Sequence, residues 1–288
     1  MTMTFERDVA ATLQMEAAHR QRRFAKGLGW GGLTVAVLWF TADQIGMNPL
    51  ALIKGADHMW DFLTRMFPPD LSYIFFLGRA TVETVQIAVW GTLLAVVFSI
   101  PLSLLAARNT TPLVMLPWFT ETWQRLSLHL LVFHLTRLLL NMLRGINELI
   151  FALIFVSAVG LGPFAGVLAI ALHATGMLAK FCGEEIEGVD QGQIEAVQAT
   201  GASKMQVILF AVIPQVIPAF ISYSIFRFDV SIRSATVLGL VGAGGLGYTL
   251  LFAISTYEFE KATTAILILI LLITAIDRFC LFLRKKII

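Results

Sequence analysis

Three glycines in the stretch GLVGAGGLG (Gly239–Gly247) stand as Gly242-x-Gly244-x-x-Gly247. That spacing seats a dinucleotide pyrophosphate on a helix N-terminus when a strand leads into it. A second chemistry is open to Arg144, Arg227 and Arg233, which fall within or beside long apolar runs. A guanidinium presents a planar fork of donors that matches the oxygens of a small oxyanion. Arg144 precedes Glu148 by four residues, which predicts that the two share one face of a continuous helix. Arg227, Asp229 and Arg233 form a second group, and Arg79 and Glu83 another pair four apart. His173 lies in a further apolar run. Ionised groups in such surroundings face a partner or a water-filled cavity. Two readings stay open: internal ion pairs that lock helices together, or the lining of a wet path for an anion. For His173 the choice is between packing and that same lining. Catalysis has less to stand on. Cys182, Cys280 and five scattered histidines give no disulfide framework, no zinc spacing and no nucleophile–base set, so no catalytic residue or metal site is predicted.

The elements that must position these groups are membrane helices. Of 288 residues, 57% are hydrophobic and 14% charged, with a mean hydropathy of +0.79. Soluble domains run at about 45–50% apolar and roughly 25% charged. The composition predicts an all-α polytopic protein whose partner is the lipid bilayer, and a net charge of +2 gives no reason to expect a nucleic acid. About six transmembrane helices are predicted: Leu28–Gly46, Phe75–Ala107, Arg137–Gly160, Ala165–Phe181, Val207–Phe228 and Ala262–Leu283. Ala51–Asp70 is amphipathic and ends in Pro68-Pro69, which predicts an external segment on the membrane surface. Pro112–Leu135 is broken by Glu121, Arg125, His129 and His134 and is expected at the interface, with a span of its own as the alternative. The organisation is therefore a cytoplasmic tail (1–29), a first span with its external segment (30–74) and a core (75–288). Basic residues gather at the N-terminus, at Arg108, Arg125, Arg137, Lys180 and Lys204, and at Arg284–Lys286. By the positive-inside rule this places both termini in the cytoplasm.

That topology removes the nucleotide reading of the glycines. They follow a membrane span rather than a strand, face outside, and are trailed too soon by Glu258 and Glu260 to bind a ribose. They suit a tight re-entrant turn in which backbones pack closely at membrane depth. The cytoplasmic loop between the fourth and fifth spans, at about 184–206, reads on into EAVQATGASKMQVILFAVIP, Glu195 to Pro214. A short helix over Ile194–Thr200 is expected, ended by Gly201 in a left-handed conformation. Ala196, Ala199 and Ala202 would leave a thin face for another protein's groove.

This stretch resembles the EAA loop of ABC-importer permeases: Glu-Ala-Ala, three residues, Gly, nine residues, then Ile-x-Leu-Pro. Glu195, Ala196, Gly201 and Pro214 match, while Val197, Ala211 and Ile213 are apolar exchanges. From about Arg79 to the C-terminus the chain is similar to the membrane subunit of phosphonate importers, a subfamily that includes phosphite transporters. The stretches that carry this run from Asn147 to Asp190 and from Tyr223 to Gly247, and the departures lie in the N-terminal third and in Pro112–Leu135. The resemblance implies a type I importer permease fold in a bacterial inner membrane, multi-pass and not itself an enzyme. It implies a homodimer, two ATPase subunits docked on Glu195, Ala196, Gly201, Ala202 and Pro214, and a periplasmic or lipid-tethered substrate-binding protein. ATP and Mg would sit on the ATPase, with no cofactor in this chain, which lacks a Gly-x-x-x-x-Gly-Lys-[Ser/Thr] loop. The cargo would be a phosphonate or related phosphorus oxyanion, drawn past Arg144, Glu148, His173, Arg227, Asp229 and Arg233. Gly242, Gly244, Gly245 and Gly247 would shape the outer gate. An ATP-independent channel or transporter for a small anion is the alternative.

Overall fold

The computed structural model describes residues 26–27, 29–47, 53–110 and 122–287, with the backbone alone for 122–129 and 287. The basic residues Arg20, Arg22 and Arg23 and residues 111–121 lie outside these. The chain divides into two compact units, Met1–Thr64 and Arg65–Ile288. In the first, helix α1 covers 29–44 and α2 covers Ala56–Arg65. α2 opens on Asp57 and closes on Arg65, charges that suit the two ends of a helix dipole, and Met59, Trp60, Phe62 and Leu63 on it are exposed.

The regular elements among the second unit's described residues are all helical. Its elements are α3 (Ile74–Ala106), α4 (Thr122–Gly145), α5 (Glu148–Val159), α6 (Pro163–Glu187), α7 (Gln191–Ala199), α8 (Lys204–Val207), α9 (Ile213–Leu238), α10 (Gly245–Ser255) and α11 (Phe259–Ile287). Asp70 accepts from the Ser72 hydroxyl at 2.5 Å and the Ser72 N–H at 3.0 Å ahead of α3, which holds its carboxyl below the usual carboxylate range. Its backbone N–H also donates to the Glu260 carbonyl, joining the starts of α3 and α11.

Among the described residues four helical stretches are long and apolar enough to cross a membrane: Leu71–Ala106, Pro163–Glu187, Lys204–Ala243 and Phe259–Lys286. A fifth candidate is a pair, Leu130–Gly145 with Glu148–Val159, bent by 89°. Two expectations are corrected here. The third span is not one straight helix: the chain breaks after Gly145, and extended Asn147 caps α5 by accepting the Leu149 N–H at 2.9 Å. Arg144 and Glu148 therefore do not share a helical face. Residues 122–135 form the first half of α4, continuous with the helix that follows, rather than a separate segment.

α6 is the axis of the unit, and its sequence explains why. Small residues line it, so neighbours approach to backbone distance. A Cβ on Gly91 of α3 would lie 2.7 Å from Ile170, and one on Gly176 would lie 2.8 Å from Leu143 of α4. The central cluster joins Ile87, Phe151, Ile170, Ile232 and Leu238 from α3, α5, α6 and α9. Across it, Thr92 donates to Ser231 at 2.9 Å.

Candidate translocation path and coupling loop

Glu148 and Arg227 form one ionic group, and Asp229, Arg233 and Asp277 form another. Glu148, in the first turn of α5, meets Arg227 of α9 at 3.0 Å and also accepts from the Ser234 hydroxyl. Arg227 is 3% exposed, its Nη1 faces the Met177 sulfur at 3.7 Å, and its backbone carbonyl accepts from Ser231. A desolvated pair of this kind ties α5 to α9; losing either partner strands the other charge. Arg233 lies six residues on, about 240° round the helix. It bonds Asp229 at 2.5 Å and Asp277 of α11 at 2.9 Å, and its side chain is 49% exposed. The fifth span was expected to end at Phe228, but α9 runs to Leu238. Arg227, Asp229 and Arg233 thus lie within the helix. Arg144 is exposed and apart from both groups. The His173 ring donates from Nδ1 to the Ile146 carbonyl at 3.0 Å, satisfying a backbone group freed by the break before α5.

The glycine stretch makes a turn against three other elements. A π-helical turn, Gly239–Ala243, carries the chain out of α9, and Gly242, Gly244 and Gly245 take φ of +95°, +81° and +71°. L side chains rarely adopt that region. Gly247 has a steric reason as well, since a Cβ there would collide with the Thr236 carbonyl of α9. α3 receives the first N–H groups of α10: Gly245 donates to Glu83 at 3.2 Å and Leu246 to Thr84 at 2.8 Å. The turn before α6 joins through the Gly162 N–H, which donates to the Gly242 carbonyl at 3.0 Å. A cleft of about 410 Å³ opens here, with Arg79, Glu83 and Tyr248 on its walls. Because Glu83 turns to Gly245, the Arg79–Glu83 pairing expected from spacing gives way to a backbone contact.

The other end of α6 carries the loop. Its 25 residues span about 37 Å, so the loop and the glycine turn stand at opposite ends of the unit. Arg137 of α4 meets Glu187 at 2.8 Å, and the Arg108 N–H donates to the same oxygen. Asp190 then caps α7 by accepting the Gly192 N–H at 2.9 Å. Ile194 is buried with Ile186, Val207 and Val212, which turns Glu195, Ala196 and Ala199 outward. Gly201 takes φ +79°, Ala202 is half-buried, and Ser203 with Gln206 closes a reciprocal cap at the start of α8. Pro214, without an N–H to give, follows a π-helical turn over Ile208–Val212.

Residues 114–288 match the family model described as binding-protein-dependent transport system inner membrane component. The chain belongs to that family. The permease is 36% identical over 293 residues to the phosphite transport system permease protein PtxC of Stutzerimonas stutzeri, covering 98% of this chain and 99% of that one. It is 38% identical over 245 residues to the phosphate-import permease protein PhnE of Mycolicibacterium smegmatis, covering 85% of this chain and 43% of that longer relative. Among solved structures it is similar to a chain of the MetNI methionine ABC transporter in an inward-facing conformation. That match has a TM-score of 0.60 and 19% identity, over 76% of the permease and 99% of that chain. The permease is accordingly a polytopic inner-membrane transport subunit with an ABC importer permease fold, not a catalytic one.

Several residues of the permease escaped sequence reasoning. Asp277 is a single acid in the apolar run of α11, and Ser234 is a common residue with no spacing signal. Thr84 looks like an ordinary helical threonine until the turn from Gly242 to Gly245 is folded against it. Only Asp277 left a trace, because a carboxylate inside an apolar run calls for a partner.

Proposed function

We propose that the permease forms, with a second copy of itself, the membrane path of an importer for a phosphorus oxyanion: phosphite, phosphonate, phosphate or a phosphate ester. The end-to-end likeness to a phosphite permease carries this reading. Two ATPase subunits holding ATP and Mg drive the cycle from the cytoplasm, and a substrate-binding protein delivers cargo outside. In this reading α1 is the first of six spans, residues 1–29 are a cytoplasmic tail, 30–74 hold that span and an external segment, and 75–288 are the core. Both termini are cytoplasmic. The loop at about 184–206 docks on the ATPase through Glu195, Ala196, Gly201, Ala202 and the helix leading to Pro214. The turn of Gly242, Gly244, Gly245 and Gly247 forms the outer gate. Arg144, Asp229 and Arg233 face the path, while Glu148, His173 and Arg227 build its wall.

The support for docking is the outward face of α7, which exposes a carboxylate and small side chains above a buried isoleucine. Proteoliposomes holding the permease, its ATPase and its binding protein should take up radiolabelled phosphite or a competing phosphorus oxyanion only with ATP. Gly201→Asp should abolish that uptake while membrane insertion and yield stay normal. Flux through the permease alone, without ATPase, would favour an ATP-independent channel and overturn the proposal.

A further inference from the structure

The loop has a second attachment, and it rests on one side chain. Gln215, half-buried in the first turn of α9, accepts the Asp190 N–H on its Oε1 at 3.2 Å. Its Nε2 donates to the Ala211 carbonyl at 2.7 Å. Asp190 is the residue whose carboxylate caps α7, so Gln215 holds the cap of the loop helix by the backbone. Ala211 is the fourth residue of the π-helical turn at the root of α9 and is 2% exposed. The turn itself has a cause in the sequence. Pro214 offers no N–H, and the backbone ladder lengthens locally, with Ile213 donating to Ile208, five residues back.

We infer that Gln215 is a positioning residue for coupling: it carries displacement of the α7 cap into the π-helical root of α9. The chemistry requires an amide. One group must accept an N–H and donate to a carbonyl at the same time, and among side chains of this length only glutamine offers both without charge. The apolar pad beneath, with Ile194, Val207 and Val212, resists separation of loop and helix but is non-directional. The two amide bonds supply direction, so a tug on Asp190 reaches the backbone of α9. From Ala211 the helical run leads on to Ala243 in the glycine turn, about 48 Å away at 1.5 Å per residue.

The inference rests on the reading of α7 as the ATPase-docking helix, and its test separates the two. The full transporter, reconstituted with ATPase and binding protein, is assayed for subunit co-purification, ATP hydrolysis and uptake per ATP hydrolysed. Gln215→Leu removes both hydrogen bonds at similar volume, and Gln215→Glu keeps the acceptor but loses the donor. Both variants should retain the ATPase and hydrolyse ATP at near-normal rates, while uptake per ATP falls about fivefold to tenfold in Gln215→Leu, which loses two hydrogen bonds, and about threefold to fivefold in Gln215→Glu, which loses one. Hydrogen exchange over residues 190–199 should also quicken in Gln215→Leu. Should Gln215→Leu fail to accumulate, the nearly isosteric Gln215→Glu carries the same readout. Unchanged uptake per ATP in the variant that assembles overturns the inference. Gly201→Asp is the control for the underlying reading: normal uptake there refutes ATPase docking itself, whereas its loss beside a normal Gln215 variant refutes only the brace.

Discussion

The run from Lys204 to Ala243 begins and ends beside glycines of left-handed φ, yet the two ends are built for opposite purposes. At the loop end, a Cβ placed on Gly201 would meet nothing within 4 Å. At the far end, Cβ atoms on Gly242, Gly244, Gly245 and Gly247 would strike Leu161, Glu83, Thr84 and Thr236 in turn. Gly201 therefore answers a conformational need alone, while the other turn adds close packing. The helices at the loop end are capped locally, by Asp190, Ser203 and Gln206 bonding backbone N–H groups two or three residues away, and the outer face is left open. The glycine-turn end is fastened across the fold: its Gly245 and Leu246 N–H groups donate to the Glu83 and Thr84 side chains of α3, and its Gly242 carbonyl accepts the Gly162 N–H of a neighbouring turn. Caps between near neighbours in sequence travel with the loop when it moves. Close contacts between distant elements, as at the glycine turn, fit one arrangement or another, with little between, because packed interiors are bistable rather than continuously deformable.

The largest effect should come from adding a methyl group to each end. Gly247→Ala has no room against the Thr236 carbonyl, so either α9 and α10 separate or the chain does not fold; membrane yield should collapse. Gly201→Ala should cost only about 1–2 kcal/mol, the strain of a left-handed alanine, with yield nearly intact. Detergent-extracted yield and thermal midpoints compare the two directly. Equal behaviour would erase the contrast between the ends.

Next in size is the pair between the ends. Glu148→Ala leaves the Arg227 guanidinium 3% exposed and without its carboxylate, a loss of about 3–5 kcal/mol by analogy with broken buried pairs. The thermal midpoint should drop accordingly. Replacing both partners, as Glu148→Leu with Arg227→Met, should restore most of the stability, since a well-packed apolar pair is often neutral or better. If uptake returns with stability, the pair is a lock in the wall. If stability returns and uptake does not, Arg227 or Glu148 meets the cargo.

How much of this was legible beforehand follows from the range of each interaction. The left-handed Gly201, the helix before it and the long apolar helices are local consequences of composition and spacing, and they could be read directly. Of the glycine turn, its presence was legible but its partners were not. Glu83 and Thr84 lie more than 160 residues away in sequence, at the far side of a fold that no periodicity encodes. The break before α5 was missed because Asn147, a good cap, sits between two apolar runs that average to one span. That single error also mispaired Arg144 with Glu148, whose true partner lies 79 residues on.

The smallest effect, and the most informative about the path, concerns Arg233. One guanidinium faces two carboxylates, so the group carries a net charge of −1 and stands half in the open on α9. Exposed pairs of this kind contribute about 0–1 kcal/mol, so Arg233→Gln should barely move the thermal midpoint. It would leave Asp229 and Asp277 as an uncompensated double negative facing any incoming anion. If this face lines the path, uptake should fall about threefold to tenfold, on the order of 1 kcal/mol in the barrier. Arg233→Lys, which keeps the charge but not the fork, should recover part of the loss. The reading depends on uptake per folded permease. A fall that merely tracks membrane yield would make Arg233 a tie between α9 and α11 and move the path to the far side of α9.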